Sequence, residues 1–132
     1  MTLLDTNVVI HYLKGDPGIV ARIKASSRGE LAVPTIVIYE LEYGTLGSRV
    51  PNRRRLALEQ GLRDMLQVPF DSAAAMAAAG VRVALEKLGM TIGSLDILIA
   101  GTAVSRGAAL VTNNAAEFAR VPGLRVMDWK SE

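Results

Sequence analysis

Short apolar runs alternate along the chain with longer stretches in which apolar residues recur every three or four positions. The short runs have the length and composition of buried strands, and the periodic stretches are typical of helices packed on one side. Predicted strands lie at residues 2–4, 31–33, 67–70, 108–112 and 124–127. Strands that alternate with helices indicate an α/β fold, with a central, mostly parallel sheet flanked by helices. We expect a single domain over residues 1–132, because this length is that of one ordinary domain.

The first apolar run ends abruptly at Asp5, Thr6 and Asn7. It predicts a central strand with Asp5 at its carboxyl end, which is the edge of a parallel sheet where ligands bind. Thr6 and Asn7 are predicted to cap the helix that follows. A plainer interpretation is that Asp5 only caps this helix, since Asp, Thr and Asn are common cap residues.

The stretch after Pro34 is predicted to be a helix, although its β-branched residues also suit a strand. Pro34 at the start and Gly44 or Gly47 at the end bracket it as a helix. Its predicted buried side carries Ile36, Tyr39, Glu40 and Tyr43. A turn is predicted from Ser48 to Asn52, followed by a second helix to about Met65. The apolar stripe of this helix consists of Leu56, Leu58, Leu62, Met65 and Leu66.

Composition excludes several kinds of active site. The chain has no cysteine and a single histidine, His11, so thiolate metal sites, His-rich zinc sites and paired-histidine catalysis are impossible. Any metal must be a hard cation with oxygen ligands. No apolar run is long enough for a membrane span, and no secretory signal is evident, so we expect a cytoplasmic protein without membrane contact.

A basic cluster is formed by Arg49, Arg53, Arg54 and Arg55, in a chain whose net charge is only +2. Such a cluster is compatible with binding to a phosphate backbone. A solvated charged surface explains it equally well.

Four carboxylates occupy comparable places in the predicted elements: Asp5, Glu40, Asp96 and Glu117. Asp96 opens an otherwise apolar helix, where the helix dipole alone accounts for an acid. Glu40 is flanked by apolar residues, and buried charges are usually paired or bound to metal. Glu117 follows the strand that ends at Thr112.

The motifs around these acids resemble those of PIN-domain ribonucleases. They are Leu4-Asp5-Thr6-Asn7, Glu40-Leu41-x-x-Gly44, Asp96-x-x-Ile99-Ala100 and Val111-Thr112-Asn113-Asn114-x-x-Glu117-Phe118. The closing segment from Pro122 to Trp129 is similar to that of VapC toxins of type II toxin–antitoxin systems. The resemblance covers essentially the whole chain.

The resemblance implies an endoribonuclease that depends on Mg²⁺ or Mn²⁺, forms a homodimer and is neutralised by a cognate antitoxin. By the match, Asp5, Glu40 and Asp96 are metal ligands, and Glu117 completes the acidic site. Some family members place a carboxylate at the position of Asn114, which leaves Asn114 as a neutral ligand or a residue that holds water. Residues with a supporting role are Thr6, Asn7, Thr112 and Asn114.

The chemistry of RNA hydrolysis suits these residue types. Clustered carboxylates attract divalent cations, which activate water and stabilise the charge that develops on the phosphate oxygens. Two other interpretations are a phosphotransfer domain with Asp5 as the acceptor and a non-catalytic RNA- or protein-binding module with structural acids. Cleavage of bulk RNA separates the ribonuclease from both.

Overall fold

The structure, a computed structural model, describes residues 1–27 and 29–130. Five strands form one sheet in which every pairing is parallel. The strands are β1 (Thr2–Leu4), β2 (Leu31–Pro34), β3 (Leu66–Val68), β4 (Ala109–Val111) and β5 (Val126–Met127). The predicted α/β class is confirmed.

The sheet order β3-β2-β1-β4-β5 places β1 at the centre. The chain runs from β1 to β2 and β3 on one side, and then crosses to β4 and β5 on the other. Strand order therefore reverses beside β1, and the crevice at the carboxyl ends of β1 and β4 is the ligand-binding position of such sheets. Burial explains why β1 is central, since Leu3 and Leu4 are fully buried.

Seven helices are present in the described part of the chain. They are α1 (Thr6–Leu13), α2 (Pro17–Ala25), α3 (Thr35–Leu46), α4 (Pro51–Leu62), α5 (Ser72–Leu88), α6 (Ser94–Ser105) and α7 (Ala115–Phe118). None of these helices is both long enough and apolar enough to cross a membrane.

The helix starts follow the capping residues of the sequence, with one correction. Asp16-Pro17 and Asp71-Ser72 are helix starts predicted by the sequence, and Asp16 and Asp71 indeed cap α2 and α5 through their side chains. For α1 the prediction was wrong, because Asp5 is the cap residue and Thr6 and Asn7 lie in the first helical turn. The Asp5 side chain accepts a hydrogen bond from the Thr6 backbone N–H at 2.8 Å. Asp5 therefore has a capping role as well as its position at the strand end.

The prediction of which side of α3 is buried was wrong. Val37, Leu41 and Thr45 are the buried residues, whereas Tyr39 and Tyr43 are exposed. The helix is apolar on most sides, so its sequence period does not select one face. Contact with the neighbouring elements selects it instead.

The boundaries after α3 also differ from the prediction. Helix α4 ends at Leu62 rather than near Met65, and Leu66 belongs to β3. Leu58 and Leu62 are buried as predicted, but Leu56 is exposed. The turn before α4 is shorter than predicted because Pro51 takes the first helical position.

Helices α5 and α6 are in close contact at Gly101 and Ala78. A Cβ atom on Gly101 would lie 2.5 Å from the Ala78 Cβ and 2.6 Å from its Cα. Backbone cannot yield as a flexible side chain does, so Gly101→Ala should force the helices apart. We expect it to lower the free energy of unfolding by about 1–3 kcal/mol, the usual cost of overpacking.

Urea unfolding of the wild type and of Gly101→Ala measures this loss. Gly80→Ala is the matched control, because a Cβ there meets nothing within 4 Å and α5 gains helix propensity. The control should be stabilised by about 0.4–1 kcal/mol. Equal stability of Gly101→Ala and the wild type would contradict the tight helix contact.

Candidate active site

Asp5 lies at the carboxyl end of β1, where the strand order reverses. Its backbone N–H donates to the Val111 carbonyl at 2.9 Å, which ties it to the end of β4. Its side chain is buried, with an exposed fraction of 6%. A buried carboxylate requires hydrogen-bond partners or a counter-charge.

Two hydrogen bonds hold the Asp5 carboxylate. Thr6 N–H donates to Oδ1, and the Thr112 hydroxyl donates to Oδ2 at 2.7 Å. Burial raises the pKa of Asp5 above its ordinary value, and the bonds from Thr112 and Thr6 oppose this rise without cancelling it. Asp5 thus has fixed oxygen positions and a charge that the protein only partly stabilises.

Glu40 reaches the same place from α3. The Thr6 hydroxyl donates to Glu40 Oε1 at 2.7 Å, while the Thr6 backbone holds Asp5. One threonine therefore connects two carboxylates from different elements. Thr6, which the resemblance gives a supporting role, thus contacts both of these acids.

Glu117 is placed by the loop after β4. Its Oε2 accepts a hydrogen bond from the Asn114 side-chain amide at 2.8 Å. The Asn114 backbone N–H donates to Thr112 Oγ1 at 2.9 Å. A continuous series of hydrogen bonds therefore runs from Glu40 to Glu117 through Thr6, Asp5, Thr112 and Asn114.

The end of β5 fixes Thr112 from its other side. The Thr112 backbone N–H donates to the Met127 carbonyl at 3.0 Å. Two residues further along, the Trp129 ring is covered by the Arg22 guanidinium, 5.9 Å from the ring centroid. The closing segment of the chain thereby supports the residue that holds Asp5.

Asp96 enters the site from the first turn of α6 without a hydrogen-bond donor among the described residues. Burial raises its pKa, and the negative charges of Asp5, Glu40 and Glu117 raise it further, to about 6. The three other predicted acids therefore all act electrostatically on Asp96. Asp96 carries the charge that is left without a protein partner.

Other predicted residues are not part of this network. Asn7 is exposed, and its side chain makes no hydrogen bond within the described ranges. The four arginines of the basic cluster are exposed and lie between the end of α3 and the first turns of α4. Arg55 forms an ion pair with Glu42.

Sequence reasoning missed two residues beside the acids. Gly93 precedes α6, and a Cβ on it would lie 3.2 Å from Asp96 Oδ2, so glycine leaves room for this carboxylate. Asn113 has a buried side-chain oxygen without a donor among residues 1–27 and 29–130. The sequence does not indicate either feature, because both the space at Gly93 and the burial of the Asn113 oxygen depend on contacts made after folding.

The donor set of the site suits a hard divalent cation. It consists of carboxylate, amide and hydroxyl oxygens, which Mg²⁺ and Mn²⁺ prefer. No group of three or more His, Cys, Asp and Glu side chains in the described part of the chain is arranged to enclose a metal. Mg²⁺ does not need such a cage, because it usually binds through one or two carboxylates and keeps several waters.

Comparison with known proteins agrees with this arrangement. The model of the PIN domain family matches residues 2–124. A tRNA(fMet)-specific endonuclease VapC from Shigella flexneri is 36% identical over 127 residues, which cover 96% of each chain.

Two solved structures share the fold along nearly the whole chain. VapBC from Salmonella typhimurium, determined bound to DNA, contains a chain with 35% identity and a TM-score of 0.92, with 97% of both chains covered. VapBC2 from Rickettsia felis, bound to a fragment of promoter DNA, also gives a TM-score of 0.92, with 29% identity and coverage of 97% of this chain and 98% of the other. The parallel sheet, the acids at its switch point and the full-length similarity together place this chain in the PIN domain family, among the VapC ribonucleases.

Proposed function

We propose that this protein is a metal-dependent endoribonuclease that uses Mg²⁺ or Mn²⁺ and acts as the toxin of a type II toxin–antitoxin pair. The observation that carries the proposal is the meeting of four carboxylates from different elements at the switch point of the sheet. Such a concentration of negative charge suits a divalent cation. Without a counter-charge it would destabilise the folded protein, which argues against a purely structural role for these acids. The proposed PIN domain covers residues 1–132.

The proposed roles follow from how each acid is held. Asp96 lacks a donor and Asp5 is fixed by two, so we assign both as metal ligands, together with Glu40. Glu117 completes the negative charge of the site. Thr6 and Thr112 orient the carboxylates through their hydrogen bonds. Asn7, in the first turn of α1, and Asn114, at the start of α7, are the other supporting residues that we propose.

The reaction is hydrolysis of a phosphodiester by water. Water adds across the bond between phosphorus and the 3′ oxygen, which leaves a 5′-phosphate on one product and a 3′-hydroxyl on the other. A bound divalent cation supplies an activated water and neutralises charge on the phosphate. The protein contributes fixed carboxylate positions and a partly dehydrated site, in which electrostatic interactions are stronger than in water. His11 cannot replace this chemistry, because the alternative attack by the 2′-hydroxyl normally uses two histidines.

The partners we assign are RNA, a cognate antitoxin and a second copy of the chain in a homodimer, in the cytoplasm. The antitoxin is supported by the relatives of known structure, which are VapBC complexes. The relative named for tRNA(fMet) makes initiator tRNA the first substrate to test. The direct experiment is incubation of purified protein with total RNA and a divalent metal, followed by sequencing of the new 5′ ends. Absence of cleavage would favour a non-catalytic binding module.

We predict that the basic cluster contacts the RNA backbone through Arg53 and Arg54. Arg49 and these two residues make no ion pair within the described ranges, whereas Arg55 is held by Glu42. Replacing both Arg53 and Arg54 with Ala should weaken RNA binding. It should also reduce the slope of log K against log salt by about 0.7 for each lost contact with single-stranded RNA.

Filter binding at several salt concentrations measures this slope. Arg55→Ala should have a smaller effect, because Glu42 already neutralises that charge. Arg82→Ala is the control, as Arg82 is exposed on α5 and paired with Glu86. An unchanged slope for the double variant would assign the cluster to another surface role.

A further inference from the structure

Asn114 is the cap residue of α7, but its side chain does not cap the helix. An Asn at this position ordinarily accepts a hydrogen bond from a backbone N–H in the first turn, which stabilises the helix by about 1 kcal/mol. Here the Asn114 amide donates instead to Glu117 Oε2 at 2.8 Å. The Asn114 side chain therefore does not cap α7, and its hydrogen bond to Glu117 takes the place of the capping bond.

Glu117 departs from its usual role in the same way. It is the third residue of α7, where a Glu commonly bends back to the backbone N–H of the cap residue. That N–H is already bonded to Thr112 Oγ1 at 2.9 Å. Both members of a standard helix-capping pair are therefore redirected toward the acidic site.

The geometry determines which way the amide faces. A carboxylate only accepts hydrogen bonds, so the Asn114 NH₂ group must point toward Glu117. Helix α7 has only four residues and cannot fix the direction of a long side chain by itself. The amide is the contact that orients Glu117.

We propose that Asn114 is a positioning residue that orients Glu117 through its amide and fixes the Thr112 hydroxyl through its backbone N–H. With Oγ1 accepting from Asn114, the hydroxyl proton of Thr112 points to Asp5 Oδ2. One residue thereby helps to orient two carboxylates, Asp5 and Glu117. This inference rests on the proposed metal-dependent nuclease, and it gives Asn114 an indirect role in place of direct ligation through its side-chain oxygen.

The test is a titration of the purified protein with Mn²⁺, followed by electron paramagnetic resonance and without RNA. Variants are Asn114→Ala, Glu117→Ala and the double variant, with Asn52→Ala on the exposed start of α4 as the control. Loss of a residue that supports a metal site without ligating the metal typically weakens metal binding by about 10- to 100-fold. We expect this loss in each single variant and no further loss in the double variant, because Asn114 acts through Glu117.

Asn114→Asp separates orientation from direct ligation. It preserves the shape but removes the donor and places a like charge beside Glu117, so Mn²⁺ binding should weaken. A direct ligand would instead bind the cation more tightly as a carboxylate. This variant also decides the question if Asn114→Ala proves unfolded by circular dichroism.

Three results would overturn the inference: wild-type Mn²⁺ affinity in Asn114→Ala, additive losses in the double variant, or tighter binding by Asn114→Asp. Cleavage of RNA by the same proteins is measured in parallel. A wild type that binds Mn²⁺ but does not cleave RNA would reject the nuclease and leave the titration to decide the role of Asn114. A wild type that binds no Mn²⁺ would overturn both.

Discussion

Addition of EDTA to the purified, antitoxin-free protein should abolish its cleavage of RNA, and an excess of Mg²⁺ or Mn²⁺ should restore it. The physical reason is the charge of the site, in which burial and three neighbouring acids already disfavour the anionic form of Asp96. Without a cation these carboxylates repel the phosphate of the substrate, and no pair of histidines is present to provide another mechanism.

The measurement is gel analysis of total RNA and of initiator tRNA after incubation with protein, protein plus EDTA, and protein plus EDTA with metal restored. Asp5→Asn protein, purified in the same way, is the control for contaminating nucleases. Activity in EDTA should fall to the level of this control. Cleavage that persists in EDTA above the control would exclude the metal mechanism.

Asp96→Asn should abolish cleavage and yet raise the melting temperature of the metal-free protein at neutral pH. The variant keeps the shape of the side chain and an oxygen at the start of α6, but it removes a charge that burial and the three other acids disfavour. We expect a loss of activity of at least about 10²-fold, in the range of removing a catalytic acid or base.

The direction of the pH dependence follows from the pKa of Asp96. Its folded-state pKa is about 6, above the ordinary value of 3.8, so its contribution to stability is present below 3.8 and is lost as the pH rises through 6. The metal-free wild type should therefore become more stable on acidification from pH 7. The raised pKa of Asp5 acts in the same direction.

The gain of Asp96→Asn at pH 7 should be on the order of 1 kcal/mol after allowance for solvent screening, which corresponds to about 2–8 °C in melting temperature. The difference between the two proteins should shrink as the pH approaches 4, where Asp96 is protonated in the wild type. Added Mg²⁺ should stabilise the wild type, because it binds only the folded site, and should stabilise the variant less.

Thermal melting of both proteins in EDTA and in Mg²⁺, from pH 4 to pH 7, tests all of these points. If the metal-free variant melts below the wild type at pH 7 and responds fully to Mg²⁺, Asp96 has only a helix-start role. Glu59→Gln, on the exposed surface of α4, is the control for removal of a carboxylate outside the site.

The sequence by itself determined the parts of the fold that depend on local pattern. Apolar runs such as Leu3-Leu4, which are fully buried in the structure, predicted parallel strands. Asp16-Pro17 and Asp71-Ser72 predicted helix starts, because helix capping depends on residues that are close in sequence. The position of Asp5 at a strand end and of Asp96 at a helix start was also visible in the sequence.

Only the tertiary structure decided how these acids are held. Thr112 donates to Asp5 across 107 positions of sequence, and Thr6 donates to Glu40 across 34, so no local pattern specifies either bond. The sequence likewise did not determine which face of α3 is buried, because the helix carries apolar residues on most of its sides. Packing against the neighbouring elements decides which face is buried. The redirected contact between Asn114 and Glu117 has the same origin, since the backbone N–H that a capping pair would use is occupied by Thr112 at the end of β4.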